Sequence, residues 1–286
     1  MFRLINVDGR AALQQGGDWY DLATLAGDPS LADPMVAVAR HEELPALQER
    51  CGAATPTGPL AAVTLGPPVP RPAQVFGIGL NYRDHAGESG MELPAVPMVF
   101  TKFPSCIAGP TATVPLSGAS VDWEVEIVAV IGREATGVAV SDAWDVVAGL
   151  TLGQDISDRA VQLADQPPQF SMGKSFGAYG PIGPGIVPVD AFEDRDDIGL
   201  WCEVDGERMQ QGRTRDLIFS IPTLVAYLSS ICTLQPGDLI FTGTPSGVGL
   251  ARGWFLAPGE LLTSGAEVIG ELANRCASGT GAMLPT

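Results

Sequence analysis

Two carboxylates, Glu124 and Glu126, stand two positions apart in the run Val-Asp-Trp-Glu-Val-Glu-Ile-Val-Ala-Val-Ile-Gly that begins at residue 121. On a strand, side chains alternate, so Asp122, Glu124 and Glu126 share one face and Trp123, Val125 and Ile127 the other. Same-face neighbours lie roughly 7 Å apart, close enough for two carboxylates to converge on one ion. Without a cation, like charges at that spacing raise each other's pKa. A solvated face of a half-buried strand is the competing reading. Here the strand runs straight into the continuously apolar residues 127–131, which places the acids at the mouth of a core and favours a hard-cation site.

A third ligand is available. Asp155 closes the apolar run 146–154, and an acid at the end of a buried strand is costly unless it meets a partner or a cation. It could instead cap a following helix, a task Ser157 or Asp158 would perform as well. With only two histidines in the chain, His41 and His85, a multi-histidine metal site is excluded. Any metal would rest on oxygen ligands, which suits Mg2+ or Mn2+, with Ca2+ less well matched.

His85 precedes Glu88 by one helical turn, so the carboxylate could orient the imidazole as a base for water. Glycines at 87 and 90 suit a mobile lid. The alternative is a short capped helix with a satisfied histidine. His41, beside Glu42 and Glu43, reads as a surface histidine. Lys174, between apolar residues and a Gly/Pro-dense turn, either points at an anionic oxygen or snorkels to the surface. Residues 242–249, Thr-Gly-Thr-Pro-Ser-Gly-Val-Gly, offer hydroxyls and backbone N–H groups for a carboxylate, or form an ordinary loop.

The elements that must position these groups are mainly β. Residues 1–70 form a small N-terminal unit, with a turn at Asp8-Gly9, a strand over 19–22 and a helical stretch over 34–50. A proline-rich linker at 66–72 separates it from a larger unit, residues 71–286, of short apolar runs punctuated by Gly and Pro. Strands are expected over 75–80, 145–154 and 239–242, and a helix over 221–230 capped by Ser220. The fold class is therefore α+β, mainly β.

Thirty-three acidic against sixteen basic residues give a formal charge of −17, which excludes a nucleic-acid or anionic-membrane partner. An anionic substrate would need a metal or a few well-placed cations to hold it against that field. Five scattered cysteines with no CxxC pair, and no apolar leader or membrane-length run, point to a reduced, cytoplasmic protein.

In chain order these elements resemble the fumarylacetoacetate hydrolase family over roughly residues 73–252. The resemblance rests on Gly-Leu-Asn-Tyr-Arg-Asp-His at 79–85, Asp-Trp-Glu-Val-Glu at 122–126 and Gln-Asp-Ile-Ser-Asp-Arg at 154–159. It continues through Gly-Lys-Ser-Phe at 173–176 and Leu-Gln-Pro-Gly-Asp-Leu-Ile-Phe-Thr-Gly-Thr-Pro-Ser-Gly-Val-Gly at 234–249. It implies a mixed β-roll, usually a homodimer, close to the 2-hydroxyhepta-2,4-diene-1,7-dioate isomerase and acylpyruvate hydrolase branch. Glu124, Glu126 and Asp155 would then hold Mg2+ or Mn2+, His85 with Glu88 would activate water, and Lys174 would face the reacting oxygen. Arg159, Gln162 and Thr244 match positions that hold the substrate's carboxylate.

This chain departs from the family at Ser157-Asp158-Arg159-Ala160, where Ser-Ala-Arg-Asp is common, and at Gly177-Ala178, where Asp-Thr is usual. Both departures lie near the substrate and spare the metal ligands. The expected activity is metal-dependent carbon–carbon cleavage of small 2,4-dioxo acids through a stabilised enolate. Isomerisation or decarboxylation on the same site is the alternative, with a catalytically silent binding protein behind it.

Overall fold

The Asp8-Gly9 pair has positive φ at both positions, +50° and +82°, as a tight hairpin turn between right-twisted strands requires. It joins Arg3–Val7 to Arg10–Gln15, and Asp18–Asp21 adds a third strand to the hairpin. The computed structural model describes residues 1–88 and 93–279, with side chains in the first stretch described through His85. Arg3–Val7 also pairs antiparallel with Gly180–Val187 through Leu4 and Ile186. The sheet then continues through Val147–Gln154, Val125–Ile131, Leu239–Phe241, Val75–Gly79 and Met98–Thr101. One mixed sheet therefore spans the N-terminal hairpin and the larger unit. A second sheet, of five strands, orders Glu207–Arg213, Gly199–Val204, Leu261–Ala266, Gly270–Ser278 and Val114–Leu116.

The central strand Val125–Ile131 is buried along its whole length, and its two faces enter different cores. Val125, Ile127, Ala129 and Ile131 pack with Leu150, Leu152 and the second sheet's Leu200, Cys202 and Leu262. Val128 and Val130 pack with Leu22, Val38, Leu44 and Leu47 from the helices of the N-terminal unit. Period-two alternation sets this division. Glu124 and Glu126 continue the even-numbered face of Val128 and Val130 beyond its apolar part.

Several sequence expectations change in detail. The strand expected across 121–131 is broken, because the Gln154 side-chain oxygen accepts the Glu124 N–H at 2.9 Å in place of a ladder partner. Val121–Asp122 pairs instead with Ser157–Asp158. The helix expected over 34–50 divides into Pro34–Ala39 and Leu44–Cys51, since Pro45 has no N–H to give and suits only a first helical turn. The strand expected from Asp145 starts at Val147, after a run of 3-10 turns. The proline-rich segment is packed: Val69 is fully buried, and Asn6 donates to the Pro67 carbonyl at 2.8 Å. The strands at 75–79 and 239–241 form as expected, as does Ile221–Ser229, with Ser220 accepting from the Thr223 N–H. Among the described residues no helix is long and apolar enough to cross a membrane.

Candidate metal centre and active site

Glu124 leaves the break between two strands, Glu126 lies one pleat further on, and Asp155 stands just past the end of Val147–Gln154. Because Val125 pairs with Gln154, the two chain segments deliver their acids to the same end of the sheet. The Asp155 N–H donates to the Glu124 carbonyl at 2.8 Å, which ties the segments together. Ligand oxygens of Glu124, Glu126 and Asp155 all lie within 4.8 Å of one another, and all three residues are buried.

Burying so many charges requires partners. Lys174 Nζ donates to Glu124 Oε2 at 2.8 Å, Asp155 Oδ2 at 2.7 Å and Ser157 Oγ at 2.7 Å. Arg159 donates to Asp122 Oδ2 at 2.8 Å, Glu124 Oε1 at 2.6 Å and Gln162 Oε1 at 2.7 Å. Lys102 Nζ donates to Asp155 Oδ1 at 2.7 Å and also to the Lys174 carbonyl. Glu126 has no ion pair among the described residues; its Oε2 accepts the Gly243 N–H at 2.7 Å.

Four carboxylates thus face three cations, and the imbalance settles on Glu126. Burial first, then the charges of Asp155 and Glu124, push Glu126 well above the ordinary carboxyl range. Burial also works to raise Glu124, but the charges of Lys174 and Arg159 outweigh it and hold that carboxyl down to about 2. For Lys174, burial favours the neutral amine, and Asp155 and Glu124 together more than reverse it. An all-oxygen donor set with a surplus carboxylate fits a hard divalent cation, which would supply the charge the cluster lacks.

The glycine-rich loop after Leu239–Phe241 supports the cluster more than it faces solvent. Gly243 has φ +103°, and a Cβ there would lie 2.7 Å from the Asn81 Cβ, so only glycine brings this N–H to Glu126. The Gly249 and Leu250 N–H groups donate to Asp122 at 2.6 and 2.9 Å. The cradle expected for a substrate carboxylate therefore holds the protein's own acids. The helix-cap role considered for Asp155 belongs to Asp158, which accepts from the Ala160 and Val161 N–H groups.

A cavity of about 370 Å³ opens onto the cluster, lined in part by Glu124, Glu126, His85, Arg159, Gln162, Lys174 and Thr244. The structure thus brings these sequence-derived residues together, with Asp155 behind Lys174. Arg159 and Lys174, expected to face substrate, also spend donors on the acids, which fixes their position. Thr244 donates to the Val125 carbonyl at 2.9 Å and accepts from Gln210 at 2.8 Å. Arg83–Glu88 is helical, so residues 85 and 88 are one turn apart, but the Glu88 side chain lies outside the described residues.

Sequence reasoning passed over Lys102, Gln154 and Gln210, all fully or almost fully buried. Lys102 carries the signal that drew attention to Lys174, a lysine within an apolar run, Met-Val-Phe-Thr-Lys-Phe. The two glutamines carry no such signal. They act by taking backbone groups of Glu124 and Val125, at 2.9 and 3.0 Å, a task visible only once the strands are in register.

Residues 74–277 match the family model described as fumarylacetoacetate (FAA) hydrolase C-terminal. The chain is 42% identical over 216 residues to a fumarylacetoacetate hydrolase domain-containing protein 2 homolog of Dictyostelium discoideum, covering 71% of each. It superposes with TM-score 0.89 on a crystal structure described as an HpcE protein from Mycobacterium smegmatis, at 46% identity, covering 96% of this chain and 99% of that one. It superposes with TM-score 0.82 on maleylpyruvate hydrolase from Sphingobium sp. SYK-6, a structure in complex with manganese(II) ion and pyruvate. That match is 29% identical and covers 97% of this chain and 99% of the other.

Proposed function

This chain belongs to the fumarylacetoacetate hydrolase family, and from that premise we propose that it is a divalent-metal-dependent enzyme cleaving a carbon–carbon bond in small 2,4-dioxo acids. The observation that carries the reading is the trio of buried carboxylates, ligand oxygens within 4.8 Å of one another, on a cavity that also presents Lys174 and His85. The maleylpyruvate hydrolase structure with manganese and pyruvate supports it.

Glu124, Glu126 and Asp155 would hold Mg2+ or Mn2+, which would supply Lewis acidity to the site. Arg159, Gln162 and Thr244 set the carboxylate end. His85, oriented by Glu88, takes a proton from water as the water attacks the distal carbonyl carbon. The bond from that carbon to the neighbouring methylene then breaks. The hydroxyl ends on the released acid, and the proton on the carbon of the released 2-oxo acid. Lys174, already fixed between Glu124 and Asp155, offers positive charge to the oxygen on which charge develops. The enzyme works as a cytoplasmic homodimer, which sedimentation and fractionation test.

The test is ultraviolet turnover of a panel of 2,4-dioxo acids and oxaloacetate, with Mg2+ or Mn2+ and then with EDTA. Metal-dependent loss of the enol absorbance, with an acid and a 2-oxo acid as products, supports the reading. An isomer or carbon dioxide as product would move the reaction to isomerisation or decarboxylation on the same site. His85→Ala should lower cleavage by about 10²–10⁴-fold and leave metal affinity within a few-fold. Equal loss of both would remove the role given to His85.

A further inference from the structure

Asp122 belongs to the same sequence run as Glu124 and Glu126 but stands apart from them in the fold. Strand alternation would put all three on one face. The strand breaks between them, and Val121–Asp122 pairs with Ser157–Asp158 instead. Asp122 is fully buried and lies outside the trio whose ligand oxygens converge. Both of its oxygens are occupied by the protein itself. Oδ1 accepts the Trp123 N–H at 2.8 Å and the Gly249 N–H at 2.6 Å. Oδ2 accepts the Leu250 N–H at 2.9 Å and Arg159 Nε–H at 2.8 Å. A carboxylate has about four lone-pair sites, so Asp122 keeps none for a cation or a substrate.

Those bonds hold Arg159, which lines the cavity. Its Nε edge meets Asp122, its Nη2 donates to Glu124 Oε1 at 2.6 Å, and its Nη1 donates to Gln162 Oε1 at 2.7 Å. The guanidinium thus sits between Glu124, a candidate metal ligand, and Asp122, whose oxygens are already taken. Both ends of the Asp122–Arg159 bond are rooted in one small ladder: Asp122 stands opposite Ser157, and the Arg159 N–H donates to the Ser120 carbonyl at 3.0 Å. Without Asp122, Glu124 would be the one carboxylate left to Arg159 among the described residues, and the guanidinium would compete for an oxygen that a metal needs. The same carboxylate also pins Leu250, which lines the cavity beside Arg159. A Cβ on Gly249 would lie 2.7 Å from Asp122 Oδ1 and overlap the Trp254 carbonyl, so only glycine allows this approach.

We propose that Asp122 is a positioning residue for substrate binding: it is the permanent counter-ion of Arg159 and keeps the guanidinium in place at the cavity when Glu124 engages a metal. This rests on the reading of the site as a metal-dependent 2-oxo acid enzyme with Arg159 at the carboxylate end. Asp122 touches neither metal nor substrate and acts on the bound anion through Arg159. A contact to the substrate's carboxylate is made in the ground state and the transition state alike, so misplacing Arg159 raises KM more than it lowers kcat.

The experiment uses Asp122→Asn, which keeps the shape, removes the charge and turns an amide N–H2 toward the donors of Arg159 or Gly249. Oxalate affinity is measured by calorimetry on Mn2+-saturated protein, and KM and kcat on the same preparations. Asp122→Asn should weaken oxalate binding and raise KM about 10–100-fold, the usual cost of losing an outer partner of a binding group, with a smaller change in kcat. In an Arg159→Lys background the same substitution should add less than about twofold, because its effect runs through Arg159. An equal loss in that background overturns the proposal, as do oxalate affinity and KM within about twofold of the wild type, or a fall in kcat at unchanged KM. A second measurement needs no change at Asp122. In 1H–15N spectra of wild-type protein with Mg2+ and oxalate, the Arg159 Nε–H, assigned by its loss in Arg159→Lys, should stay protected from exchange; exchange as fast as that of the exposed Arg71 overturns the proposal. The stated oxalate effects without turnover of any 2,4-dioxo acid would uphold the role of Asp122 and overturn the hydrolytic reading. No oxalate binding to the wild type overturns both.

Discussion

Replacing Lys102 by methionine removes one ammonium and keeps an unbranched side chain in its place, so the change isolates the charge. Lys102 and Asp155 meet at 2.7 Å with neither side chain exposed. In such surroundings an ion pair is worth on the order of 4 kcal/mol at an effective dielectric near 20, and deleting one partner of a buried pair costs about 3–5 kcal/mol because the other charge stays behind. Asp155 retains Lys174, which places the expected loss at the lower end. At roughly 2 °C per kcal/mol for a chain of this size, the metal-free variant should melt about 6 °C below the wild type.

A divalent cation on the same carboxylate would restore much of the missing charge, so saturating Mn2+ should recover at least half of that loss. The assay is thermal unfolding followed by circular dichroism in EDTA and in Mn2+, with the far-ultraviolet spectrum confirming the native fold. Adding Asp155→Asn to the variant should cost much less than it does in the wild type, since the two residues act on each other. A drop below about 2 °C in EDTA would show that Asp155 is not the buried, charge-dependent group described. An equal drop with and without Mn2+ would show that it does not bind the metal.

The pH dependence follows from Glu126. Its carboxyl lies above the ordinary value of 4.5 in the folded chain, so the native state binds more protons than the unfolded one across that interval. Metal-free stability should therefore fall as pH rises above about 4.5, and both Glu126→Gln and Mn2+ should flatten the slope; melting curves across pH check it, and a slope unchanged in Glu126→Gln would assign it elsewhere. Gly243→Ala should lower the melting temperature and weaken Mn2+ binding about 10–100-fold, the usual cost of losing a group that holds a ligand. Calorimetry reads it, and wild-type affinity would mean that the loop does not position Glu126. Glu124→Gln should weaken metal binding and also destabilise the protein in EDTA, because Lys174 and Arg159 both lose a charged partner.

The acidic trio was legible in the sequence because strand alternation and position at the end of an apolar run are local properties. Glu124, Glu126 and Asp155 meet as their spacing indicates. The reason they meet was less visible: the register of Val125 against Gln154 and the strand break at Glu124 depend on a side chain thirty positions away in the sequence. Arg159 illustrates a second limit. The family resemblance alone marks it as a group for the substrate's carboxylate, and nothing local says that Asp122 and Glu124 are among the anions it serves. The N-terminal unit reads as separate because its composition changes at the proline-rich stretch, but Leu4 pairs with Ile186, and the helices of that unit cover Val128 and Val130 of the central strand. Such long-range pairing leaves no signature in periodicity. Lys102 was within reach, as an unpaired lysine in an apolar run is costly wherever it occurs.

Calorimetric titration of metal-free protein with Mn2+, in the presence and absence of oxalate as a small bidentate stand-in for the 2-oxo acid end, tests the central claim most directly. The account predicts one Mn2+ per chain, tighter with oxalate, and loss of binding in each of Glu124→Gln, Glu126→Gln and Asp155→Asn. No binding to the wild type, or binding that survives all of these substitutions, would contradict it.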